Sequence, residues 1–187
     1  MNARKQAVLD AIDAANSHDP NQEDGQPVEL LYGQRMSAEL DRLFPDASDP
    51  LQIAARGQHV ERWKLARNAY PEGRAGYLAW RKAQGVHHAD FVMGLMEQNG
   101  YGAEDIEAAG RMLRKQGIKR DDEVQALEDV ICFVFLKWYF APFAQKHSAE
   151  KIQSIVEKTA RKMSADGRAR VLSEFELPEH LASAFQD

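Results

Sequence analysis

The run QALEDVICFVFL, residues 125–136, constrains most tightly what this chain can fold into. Val130 through Leu136 is uninterrupted apolar sequence, too short to cross a bilayer but suited to a helix buried on every side. Glu128 and Asp129 stand at its head, and Asp122, Gln125 and Asp129 follow one helical stripe at i, i+3 and i+7. The stripe therefore carries carboxylates toward a core. A carboxylate taken out of water must meet hydrogen-bond donors or opposite charge. A metal ion is one such partner and arginine is another. The choice between them is the functional question the sequence poses.

The rest of the chain agrees with a helical environment for that run. Alternating β-branched or aromatic stretches are missing, and Ala, Leu, Glu, Lys, Arg and Gln dominate. Helices are expected over about 2–16, 30–44, 50–68, 73–84, 86–99, 103–116 and 121–141, with another over 148–164 and a last turn near 176–185. Polar segments punctuate them: SHDPNQEDGQPVE, PDASDP and NAYPEG are turns, Asn99-Gly100 closes a helix, and Pro142 stops the apolar one. The expected fold is all-α, a single domain over 1–187 of about seven to nine helices around the helix 121–141. Residues 1–48 could form a small appendage.

Composition excludes several classes. At 44% hydrophobic and 28% charged residues the chain reads as an ordinary globular protein. MNARKQAVLDAIDAANS is an amphipathic helix pattern without the continuous apolar core of a leader. Cys132 is the single cysteine, inside the apolar run, so no disulfide framework is expected, and a cytoplasmic, reducing location follows as an expectation. A net charge of −5 argues against binding nucleic acid by bulk attraction. The charge is uneven, however. Residues 1–50 are acidic, whereas 51–82 carry Arg56, Arg62, Lys64, Arg67, Arg74, Arg81 and Lys82 against Glu61 and Glu72. That basic stretch surrounds His59 and reads either as a solvated surface or as an anion-binding wall.

Side chains with metal-ligand chemistry lie on three of the expected helices: His59, the pair His87-His88, and Glu128-Asp129. Adjacent residues point about 100° apart on a helix, so only one of His87 and His88 can face a common centre. Arg56 and Arg62 bracket His59 and could fork onto phosphate or carboxylate oxygens. Glycine-rich phosphate loops, G-x-S-x-G and H-E-x-x-H do not occur.

The order of these residues, His59, then the 87–88 doublet, then Asp129, resembles the HD superfamily of helical metal-dependent phosphohydrolases. Here HHAD stands where that superfamily has His-Asp. Over nearly the whole chain, AIDAANSHDPN, ELLYGQRMSAEL, LQIAARGQHVERW, YPEGRAGYLAWR, HHAD, QALEDVICFVFL and EKTARKMS resemble the family called domain of unknown function 4202. The HD resemblance implies a hydrolase of a phosphorylated small molecule or nucleotide. His59, His88 and Asp129 would hold a divalent Mn, Fe, Zn or Ni ion. Glu128 or His87 would handle the proton, and Arg56, Arg62 and Arg81 would bind the phosphate. The alternative is a non-catalytic module for a small anionic molecule or a protein partner. No membrane association is expected, and self-association into a homo-oligomer is compatible with the sequence.

Overall fold

A computed structural model describes residues 2–186. The chain is all-α: among the described residues ten α-helices account for almost all regular structure, and the β component is one two-residue hairpin. The backbone divides into two compact units, Met1–Gln116 and Gly117–Asp187.

In the first unit, α1 (Ala3–Asn16) leads into a hairpin of β1 (Gln22–Glu23) and β2 (Gln26–Pro27), followed by α2 (Val28–Leu43), α3 (Asp49–Arg56), α4 (Gly73–Gln98) and α5 (Ala103–Leu113). The hairpin turns on Asp24-Gly25, both at positive φ (52° and 76°), as a two-residue loop of this type requires. Ser48 caps α3 by accepting from the Leu51 amide, and Pro50 sits in its first turn. Ile12, Met36, Leu40, Ile53, Val92 and Met96 are fully buried and form the heart of this unit's core.

In the first unit, two departures from the sequence expectation matter for the site. The helix expected over 50–68 ends at Arg56; Gly57 caps it, and Glu61 takes a left-handed φ of 53°. His59 therefore lies in an irregular turn. Conversely, the two helices expected over 73–84 and 86–99 are one, the 26-residue α4. Gly85 does not break it, because a Cβ there would meet the Leu113 carbonyl at 3.2 Å: the glycine admits a neighbouring backbone. Gly76 does the same more severely, with Pro71 O 1.8 Å from where a Cβ would stand.

The second unit holds α6 (Asp122–Val134), α7 (Phe140–Lys146), α8 (Ala149–Lys162), α9 (Ala165–Glu174) and α10 (Glu179–Ala182). The apolar helix expected over 121–141 is thus α6 followed by a five-residue π-helical stretch, Phe135–Tyr139, and then α7, and Pro142 does not stop it but sits in the first turn of α7, where a proline is tolerated. Asp121, Ser148 and Ser164 cap α6, α8 and α9 through their side chains. Phe133, Val156, Met163, Val171 and Phe185 are among its buried apolar side chains. None of the helices is long and apolar enough to cross a membrane, among the described residues.

Candidate functional site

The irregular turn after α3 brings His59 against α2 and α4. Its Nδ1 lies 3.1 Å from Glu29 Oε2, and its Nε2 lies 3.2 Å from Arg62 Nη1. A guanidinium can only donate, so Nε2 must be the lone-pair nitrogen and Nδ1 must carry the proton, which it donates to Glu29. This fixes both the tautomer and the neutral state. The ring is stacked on Tyr32 of α2, with centroids 3.8 Å apart and planes 10° from parallel.

Glu29 begins α2 and is tied down by backbone as well as side chain. Its amide donates to Asp19 Oδ2 at 3.0 Å, which also favours a helix start through a negative charge at the N-terminus. Its carbonyl accepts from Asn16 Nδ2, and Asn16 Oδ1 accepts from the Glu61 amide. Asn16 thereby joins the end of α1 to the start of α2 and to the left-handed turn carrying His59. Burial pushes the Glu29 carboxyl up to about 7; Arg62 pulls it back, and Asp19 adds to the rise.

Arg62 is the hub of the cluster. Its Nε is 3.9 Å from Glu29 Oε1, and its guanidinium lies 4.8 Å from the centre of the Trp80 ring. Trp80 on α4 is buried and donates from Nε1 to Leu65 O at 2.8 Å. Gln84, one turn further, donates to Arg62 O and Leu65 O. These bonds hold the backbone on which Arg62 sits.

His88, buried on α4, approaches from the other side. Its Nδ1 donates to Val60 O at 2.8 Å, so its lone pair is on Nε2; its ring centroid is 6.2 Å from that of His59. Burial holds both imidazoles well below the usual histidine range. For His59 the cations Arg62, Lys115 and Arg81 depress it further; for His88 the largest charge effect is His59 itself. His87 points differently, with Nε2 3.5 Å from Glu61 Oε2 but without hydrogen-bond geometry. The expected divergence of the doublet therefore holds in position: one ring joins the cluster and the other faces Glu61.

The remaining expected residues are placed as follows. Arg56 forks onto Asp13 through two bonds of 2.7 and 2.8 Å, tying α3 to α1. Its guanidinium is already matched by a carboxylate. Arg81 donates to Tyr77 OH at 2.9 Å and sits among the cations that act on His59. Glu128 and Asp129 belong to the second unit. Buried Glu128 lies 3.8 Å from Lys162 Nζ. Buried Asp129 Oδ1 accepts from the Ser164 amide at 2.8 Å and from Gln125 Nε2 at 3.1 Å, and its Oδ2 accepts from Ser164 Oγ. Gly167 lets the start of α9 rest on that carboxylate, since a Cβ there would stand 2.9 Å from Asp129 Cγ. The partner of this carboxylate is thus a set of neutral donors at a helix start rather than an arginine.

Sequence reasoning missed Glu29, Tyr32, Gln84 and Lys115. Glu29 lies thirty positions before His59, and no spacing rule joins them. Its one local signal is a carboxylate in the first turn after Pro27, which reads equally well as helix-dipole compensation.

For a divalent ion the first unit offers neutral imidazoles, and His88 Nε2 has the lone pair such an ion needs. His59 Nε2 does not fit, because the Arg62 guanidinium donates into the same lone pair. Among the described residues of this unit, no three His, Cys, Asp or Glu side chains gather closely enough to hold a metal.

Compared with known proteins, no curated protein and no solved structure matches this chain. A family model does match, over residues 6–184; its description is Domain of unknown function (DUF4202).

Proposed function

From a chain that belongs to the DUF4202 family, which carries no assigned activity, we propose a binding site for a small anionic molecule at the His59 cluster. The observation that carries this reading is the charge around His59. Arg62 touches one partly buried imidazole on which Arg81 and Lys115 also act, while burial raises the carboxylate in contact with it, Glu29, to about 7. Positive charge with incomplete compensation inside a partly buried site favours an anion. Arg62 is pre-oriented by the Trp80 face and by the bonds to its own carbonyl, so little freedom is lost when it grips a phosphate or carboxylate oxygen. His59, with its tautomer set by Glu29, would present Nε2 as a proton acceptor once Arg62 turns to the ligand.

A second reading, metal-assisted hydrolysis of a phosphorylated molecule as in the HD superfamily, is favoured by one observation. His59 and His88 stand ring to ring at 6.2 Å with depressed proton affinities, which keeps both imidazoles neutral at neutral pH. It requires Arg62 to leave His59 Nε2.

Thermal shift sorts the readings. Sulfate, phosphate and nucleotides should each raise the melting temperature of the wild-type chain, and Arg62→Met should abolish the rise. Absence of stabilisation by any anion, or a shift that survives Arg62→Met combined with Arg81→Met, defeats the anion site. Stabilisation by Mn²⁺ or Ni²⁺ that a chelator reverses, with no response to anions alone, favours the second reading.

A further inference from the structure

The outward face of the first turns of α4 touches the His59 cluster through Arg81. It carries Arg74, Tyr77 and Arg81 at i, i+3 and i+7, with Leu78 and Lys82 on the adjoining stripe. Tyr77 is 41% exposed and Leu78 54%, values that matter because large apolar side chains are otherwise mostly covered in this chain. The Tyr77 ring does not swing freely. Arg81 donates to its hydroxyl at 2.9 Å with the guanidinium 5.8 Å from the ring centre, and buried Trp80 supports it from beneath at 5.9 Å between centroids. Around this platform the charge is one-sided. From Gly73 to Ala89, α4 carries Arg74, Arg81 and Lys82 and no acid; Glu72 stands just before the helix, in a chain of net charge −5.

From these features we propose that this face of α4 docks single-stranded nucleic acid. Phosphodiesters are drawn to Arg74, Arg81 and Lys82, and an unpaired base stacks on Tyr77 beside the Arg81 guanidinium. A duplex hides its base faces and cannot use such a platform. A membrane surface calls for a broad apolar stripe under the cations, whereas here Leu78 stands beside a single tyrosine. The overall negative charge still opposes bulk attraction, so binding is confined to this face and sensitive to salt. This surface shares Arg81 with the anion site but rests on Tyr77, Arg74 and Lys82, so either can fail alone.

The test is fluorescence anisotropy of a labelled oligouridylate of about 12 nucleotides with the full chain at about 50 mM salt. Micromolar binding is expected. Tyr77→Ala should weaken it about tenfold, the loss of one stacked base, whereas Tyr77→Phe should stay within about twofold because the ring remains. Arg74→Ala and Lys82→Ala should each lower the slope of log affinity against log salt by about 0.7. Arg62→Met should leave oligonucleotide binding in place, which separates this surface from the anion site. Unchanged melting temperatures establish that the variants fold, and the charge reversal Arg74→Glu with Lys82→Glu serves as a second probe. No binding, equal binding by Tyr77→Ala, or equal affinity for phosphatidylglycerol vesicles overturns the proposal.

Discussion

Each unit buries a carboxylate near the start of a helix, and the two are held in opposite ways. Asp129 in the second unit accepts three hydrogen bonds from neutral donors: the Ser164 amide, the Ser164 hydroxyl and the Gln125 amide. Glu29 in the first unit faces groups that are charged or can become so: the His59 imidazole, the Arg62 guanidinium and the neighbouring Asp19 carboxylate. Donors of the first kind settle a charge and specify a packing. Titratable partners leave a charge that responds to a ligand, to pH or to a proton acceptor. Glu29 is pushed to about 7, in the range where protonation can change under physiological conditions. The difference sets the carboxylate that sequence reading favoured, held by neutral donors, against one it passed over, held by titratable partners.

The strongest way to break this comparison is Asp129→Ala. It strands three donors inside the unit, and removing the acceptor of a buried network costs about 3 kcal/mol. Hydrogen exchange at the α9 amides should speed accordingly, because Ser164 and its helix rest on this carboxylate. Unchanged exchange combined with loss of an anion or Mn²⁺ response would reverse the roles assigned to Asp129 and Glu29. Gly167→Ala presses on the same contact. A Cβ 2.9 Å from Asp129 Cγ must push either the carboxylate or the start of α9, at about 2 kcal/mol by the same exchange readout.

Glu29→Gln probes the other side and should act with the opposite sign. A carboxyl with a folded value of about 7 and an unfolded value near 4.5 holds its proton more tightly in the native state. Its contribution to stability is fully present below pH 4.5 and is lost as pH rises to 7. Glu29→Gln should therefore be more stable than wild type at pH 8 by about 1 kcal/mol and nearly equal to it at pH 4. The histidines oppose this trend. His59 and His88, held well below 6.5, lose stability for the native state as pH falls through 6.5, since the unfolded chain takes up the protons first. Urea denaturation across pH 4–8 reads both effects; equal stability of Glu29→Gln and wild type at pH 8 would remove the contrast between the two carboxylates.

The helical class was readable because propensity, capping residues and the missing strand period all agreed. Ser148 before α8 is a local signal and caps its helix as the spacing implies, whereas the cap before Pro50 is Ser48 and not the expected Asp49. The errors came where tertiary contact overrode a local rule. Gly85 reads as a break and is a point of close approach, while the run through His59 reads as helix and is bent away at Glu61. The site fared likewise. His59, His88 and Arg62 were visible as residue types, and the structure brings them together. Glu29 was hidden, because a contact across thirty residues leaves no periodic trace and its position after Pro27 has a sufficient local explanation. Arg56 shows the converse: beside His59 in sequence, it is bonded to Asp13.

The smallest and sharpest prediction concerns Ser164, where capping and the Asp129 contact meet in one hydroxyl. Ser164 Oγ accepts from the Gly167 amide and donates to Asp129 Oδ2, while its own amide donates to Asp129 Oδ1. Ser164→Ala removes the hydroxyl but keeps the amide bond, so it should cost about 1 kcal/mol, the usual value for a lost cap. Ser164→Thr retains the hydroxyl and should restore most of that stability. In the double variant Ser164→Ala with Asp129→Asn, the two losses should fall short of their sum, because the hydroxyl and the carboxylate serve each other. Strict additivity in denaturant unfolding would mean that Asp129 does not depend on this cap. The neutral-donor account of the second unit would then fail at the residue that anchors it.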